Sequence, residues 1–293
     1  MSGLQYKCTK LSVIQGLKEG SLGAPFRTEF TFDDISVSIS QHGVRNIVVT
    51  SNLPLKSDKL IQTFQDIDKL LMLFDGRFYI IEDATVYNDV EESIDVLNEY
   101  SQKRLDCFSS RDFCQHSSLK LISFQDILTT DLYNKWNSLV SDLDIAFQVF
   151  LYALSDSKMP VDLVFAFLIE LAEPFVELVK ERTCNCKSLT PGERRTTLKK
   201  CINNLISLYG SDIFAKELDD NYELFLERVV KSRVRIMHIK KKQMDYFDGK
   251  ECIKYSLKFS LLYRKILLSL LDISEQQYKA NVQNATKKID EWN

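Results

Sequence analysis

Apolar residues recur along this chain with two different periods, and the change from one to the other divides it. Before residue 132 the period is mostly two. Phe26, Thr28, Phe30 and Phe32 take alternate positions and so share one face of a strand. NIVV, RFYIIEDATVY and LKLISF are short runs rich in β-branched and aromatic residues, which predicts further strands. GSLGAP reads as a turn or loop between the first two strands. One stretch breaks the rule. From Ser57 to Phe74, the residues Leu60, Ile61, Phe64, Ile67, Leu71 and Phe74 repeat at steps of three and four. That predicts an amphipathic helix with Ser57 as N-cap and Asp75-Gly76 as its end. Residues 1–131 thus read as a β-rich α+β domain.

From about Leu132 the strand signals stop. Trp136–Leu154, Val161–Arg182, Glu193–Tyr209, Tyr222–Met237 and Lys250–Leu271 all carry helical periodicity. Ser274–Trp292 follows, opened by Ser274 and Gln277 at capping-box spacing. Residues 132–293 therefore predict an all-helical bundle, and the lack of an internal repeat argues against a solenoid.

Composition narrows the class. With 293 residues, 45% apolar and 27% charged, the chain is an ordinary globular protein in make-up. Its most apolar stretch, Val161–Val179, contains Asp162, Glu170, Glu173 and Glu177 and is interrupted by Pro174. That is too costly for a bilayer, so a buried helix is expected there and no membrane span. MSGLQYKCTK at the start holds no apolar run suited to a signal peptide, and the expected location is cytoplasmic. The seven cysteines are then expected as reduced thiols, mostly small core residues. Neither Cys184, Cys186 and Cys201 nor Cys107, Cys114 and His116 have the paired spacing of a zinc site, so no metal is expected.

Charge is uneven. Before Trp136 there are 14 basic and 19 acidic residues, a net of −5, which should not attract nucleic acid by itself. From Trp136 onward 24 basic residues meet 22 acidic ones, a net of +2. Much of that excess lies in KSRVRIMHIKKK, from Lys231 to Lys242, which has six basic residues, a histidine and no acid. The helix Tyr222–Met237 is expected to turn Leu224, Phe225, Val229 and Val230 towards the bundle, leaving Lys231, Arg233, Arg235 and His238 near its end. Read alone, this is a cationic helix terminus, each charge favoured by the macrodipole by about 0.3–1 kcal/mol. His42, in QHGVRN, and His116, in RDFCQHSS, read as turn and loop residues with no positioned partner.

The spacing within RVRIMH adds a second reading. Arg233 and His238 form R-x4-H near the end of a bundle helix, and a long apolar helix follows after a short loop. This resembles the HEPN superfamily, and the order of an α+β domain, a bundle and a late R-x4-H is similar to ApeA-type HEPN proteins. The resemblance covers the helical half from about Trp136 to Asn293. In one respect the chain departs from it. The family commonly has a polar residue, often Asn, straight after the Arg, where this chain has Val234; Arg235, one position on, points about 100° away on a helix.

The resemblance implies metal-independent endoribonuclease activity without a cofactor, in a toxin or phage-defence effector. It makes Arg233 and His238 catalytic, and it suits Lys231, Arg235, Lys240, Lys241 and Lys242 to RNA contacts. The residue types fit that chemistry. An imidazole can move the proton of a 2′-hydroxyl near neutral pH, and a guanidinium stabilises the charge gathered on phosphorus. Because one chain supplies one Arg–His pair, the resemblance implies a homodimer with a shared site, acting on RNA, with tRNA the first substrate by analogy. The N-terminal domain would then meet a trigger or regulatory partner. A second class stands beside this one: a non-catalytic HEPN-fold interaction or nucleotide-binding module, with Val234 as its mark. A metal-dependent hydrolase finds no carboxylate–histidine cluster at ligand spacing.

Overall fold

The computed structural model describes residues 7–16, 25–76, 79–90, 92–97, 120–123, 125, 127–154, 159–182, 197–239 and 245–292. Contacts gather the chain into two compact units, Met1–Ser138 and Leu139–Asn293.

The first unit is built on one antiparallel sheet. Its strands are β1 (Lys7–Gly16), β2 (Phe26–Phe32), β3 (Ile35–His42), β4 (Val44–Lys56), β5 (Ile80–Tyr87) and β6 (Ser93–Asp95), in the order β2-β3-β4-β1-β5-β6. Alternation decides which face is covered: Leu11, Val13, Val37, Ile39, Ile47 and Val49 are all buried, and α1 (Ser57–Asp75) packs on β1 and β4. Helix α1 supplies Leu60, Phe64, Ile67 and Leu71 to that core and ends at Gly76, whose φ of 74° suits glycine. Two polar links run through the same layer, Gln15 to Asp68 at 2.7 Å and Arg45 to Asp75 at 2.8 Å.

Two sequence expectations change here. Ser57 is not the N-cap of α1. Strand β4 runs directly into the helix, so Lys56 takes the extended cap conformation and Ser57 is the buried first helical residue. LKLISF is not a strand over its described part, 120–123. Leu121 and Ile122 are buried, and the Leu121 N–H donates to Phe74 O at 2.8 Å, so the apolar run anchors irregular chain against the end of α1. GSLGAP lies almost wholly outside the described residues.

The helices continue as α2 (Thr130–Leu143), α3 (Ile145–Leu154), α4 (Val161–Glu170), α5 (Ala172–Arg182), α6 (Leu198–Leu205), α7 (Ala215–Asp219), α8 (Tyr222–Met237), α9 (Gly249–Leu270) and α10 (Glu275–Glu291). A π-helical turn, Ile206–Gly210, prolongs α6. Where one helix was expected over Trp136–Leu154, two form, because Asp144 takes a left-handed φ of 43°. The expected helix Val161–Arg182 also divides, at Leu171. Its cause is Pro174, which has no N–H for the Glu170 carbonyl and whose ring would clash with it. Pro174 is tolerated in the first turn of α5, so α4 must stop at Glu170. Ser274 caps α10 without a side-chain hydrogen bond; Gln277 N–H bonds the Ser274 carbonyl instead, at 3.0 Å.

Helix α9 is the axis of the second unit, packing on α4, α5, α10 and the π-helical turn. Its Tyr263 packs against Phe150 and Phe175, and the Tyr263 hydroxyl donates to Leu168 O at 2.6 Å. Lys258 is fully buried on the same helix. Its Nζ lies 2.8 Å from both Glu217 carboxylate oxygens and 2.9 Å from Asp290 Oδ1, tying α7 and α10 to α9. No helix among the described residues is long and apolar enough to cross a membrane.

Candidate functional site

Helix α8 carries the R-x4-H pair. Asn221 starts it, its side chain accepting the Leu224 N–H at 3.1 Å. Phe225, Leu226, Val229 and Ser232 form the buried face. Leu224, expected inside, is 43% exposed, and Val230 is half-buried. The inward stripe is set by Phe225, Val229 and Ser232, and Leu224 lies 100° back from Phe225.

Downstream chain clasps α8 from one side. Arg228 donates to both carboxylate oxygens of Glu251, at 2.9 and 3.0 Å, and to Tyr246 O at 3.3 Å. Its guanidinium also lies 4.7 Å from the Phe247 ring centre. The Ser232 hydroxyl accepts the Phe247 N–H at 2.9 Å. Phe247 is itself buried, against Phe165, Phe225 and Tyr255. Asp248 and Glu251 then form a complete capping box that starts α9. Phe247 is therefore a core anchor, with no face left for a base.

The candidate residues are placed as follows. Arg233 points to the end of α4 and pairs with Glu170; the two side chains are 22% and 31% exposed. Partial burial lowers the pKa of its guanidinium. His238 is exposed at the C-cap of α8, its N–H bonded to Val234 O at 3.1 Å. Lys231 is exposed and pairs with Glu227 at 3.5 Å. Arg235 lies over the Tyr246 ring, 5.2 Å from its centre. Val234 is half-buried. Lys240, Lys241 and Lys242 lie outside the described residues, as do Cys107, Cys114, His116, Cys184 and Cys186. Cys8, Cys201 and Cys252 are buried free thiols, and His42 ends β3 beside the Gly43 turn.

Among the described residues, Arg233 pairs with Glu170 and no hydrogen bond joins it to His238. Five helical residues advance about 7.5 Å and turn about 140°, so Arg233 and His238 leave α8 on different sides. What the fold does bring to Arg233 is Glu170, which sequence reasoning did not single out. Pro174 was the available signal, since it fixes where α4 ends. Arg228 and Glu251 were also missed, their link depending on how α8 and α9 meet.

Residues 169–277 match the family model described as Apea-like HEPN. The helical unit carries an ApeA-type HEPN domain. The matched segment opens at Ile169, next to Glu170, and takes in Arg233, His238 and all of α8 and α9. Neither the curated proteins nor the solved structures give a match.

Proposed function

We propose that this protein is a metal-independent endoribonuclease, acting as a toxin or phage-defence effector, with Arg233 and His238 as its catalytic residues. One observation carries the reading. A complete R-x4-H pair lies inside the matched HEPN segment, with His238 exposed at the end of α8 and Arg233 partly exposed beside Glu170.

In this mechanism the RNA 2′-hydroxyl attacks the adjacent phosphorus. His238 takes the hydroxyl proton, and the second proton transfer, to the departing 5′-oxygen, falls to His238 of a second copy across a two-fold axis. Arg233 lends its fork of donors to the charge gathered on the phosphorane oxygens. Lys231, Arg235 and Lys240–Lys242 hold the backbone on either side, and DNA, without the nucleophile, is spared. tRNA is the first substrate to try.

A binding-only module is the second reading, favoured by Val234 standing where the family commonly has a polar residue. The test is purified full-length protein with end-labelled total tRNA in EDTA, beside His238→Ala. Defined fragments from the wild type alone support the ribonuclease. RNA left intact by the wild type while bound to it supports the module.

A further inference from the structure

The cations of the motif helix are already engaged. Lys231 is paired with Glu227, Arg235 rests on Tyr246, and Arg233 meets the Glu170 carboxylate. The last contact stands apart, because it joins two helices and involves the residue on which the proposed chemistry depends.

A carboxylate and a phosphodiester present the same thing to a guanidinium: one negative charge carried on paired oxygens that accept parallel N–H bonds. We infer that the place the Glu170 carboxylate takes on Arg233 is the seat of an RNA backbone phosphate, with Glu170 as its built-in stand-in. Three observations support the exchange. The pair is partly open to solvent, at 22% and 31% exposure, so a phosphate can reach it. Arg233 Nε is buried with no hydrogen-bond acceptor among the described residues, so the guanidinium has a donor unspent. Glu170 is the last residue of α4, at a helix end that Pro174 enforces, so its carboxylate is held by no further turn of that helix.

The consequence is electrostatic. With the two paired, Arg233 adds no net charge to the surface a polyanion meets. Once Glu170 has moved aside, RNA gains a contact that its counterions had been holding. Glu170 thus sets how much RNA affinity Arg233 contributes. This inference rests on the ribonuclease reading for its ligand.

The test uses a 2′-O-methylated single-stranded oligonucleotide, which binds but cannot be cut, on the full chain at several salt concentrations. Glu170→Gln should bind about tenfold more tightly at low salt. Its plot of log affinity against log salt should steepen by about 0.7, the value of one added single-strand phosphate contact. Arg233→Gln in the same background should cancel both gains, which a merely structural role for Glu170 would not produce. Glu170→Ser repeats the measurement should the Gln variant melt early. Unchanged slope, weaker binding, or no binding by either protein overturns the inference. Cleavage is scored separately. A wild type that cuts no RNA, beside a Glu170→Gln variant with the steeper slope, defeats the ribonuclease reading and leaves the phosphate seat standing. A cutting enzyme with an unchanged slope does the reverse.

Discussion

His238 and Lys258 show how differently two charged-type residues in one unit behave. His238 is exposed at a helix end, so His238→Ala should remove all cleavage while leaving circular dichroism and melting temperature essentially unchanged. A variant that loses both would make His238 structural. Lys258 is fully buried between Glu217 and Asp290. Lys258→Ala removes the buried cation that Glu217 and Asp290 share, leaving Asp290 with Lys254 at 3.2 Å, and denaturant unfolding should show a loss of about 3–5 kcal/mol. A loss below about 1 kcal/mol would mean that the carboxylates find water. The R-x4-H spacing was legible in the chain, because it is a local pattern. Arg233's partner was not, because Glu170 reaches it only through the way α4 lies beside α8.

At the level of elements, legibility follows the range of the forces that set each boundary. Helix α8 was readable from Tyr222 to Met237 since its periodic apolar face lies within one short stretch. The break between α4 and α5 was signalled by Pro174 but overridden by the strong apolar period on both sides. LKLISF misled because strand-like composition also serves a coil that packs against a helix end. Ser57 and Ser274 were both assigned side-chain caps that they do not make, while the complete capping box at Asp248 and Glu251 was passed over. That box aligns the start of α9 with the Arg228–Phe247 clasp on α8. Asp248→Ala should cost about 1 kcal/mol in thermal or denaturant unfolding. It should also reduce cleavage, since the clasp fixes the end of the segment that leaves α8. Full activity in a destabilised Asp248→Ala variant would separate the clasp from the site.

For the molecule as a whole, stability should depend on acid in a defined way. Burial alone would raise the pKa of Asp290, but hydrogen bonds and charge from Lys258 and then Lys254 outweigh it and hold the carboxyl below its ordinary value. A carboxyl depressed in the folded state stabilises it above the unfolded value, near 4, and that contribution is lost as pH falls through the folded value. Unfolding free energy should therefore decline below about pH 4, and Asp290→Asn should flatten the decline; equal slopes for the two proteins would contradict the assignment. The sheet-then-helices fold class followed from period alone, whereas the assembly that a shared site requires is set by surfaces no single chain reveals. Light scattering should report a dimer for the full chain, and a strict monomer with and without RNA would defeat the two-fold mechanism. The most direct test of the account is the chemistry of the cut ends. Mass spectrometry of tRNA fragments produced in EDTA should find 2′,3′-cyclic phosphates from the wild type and none from His238→Ala, whereas 3′-hydroxyl ends, or equal cutting by both proteins, would contradict it.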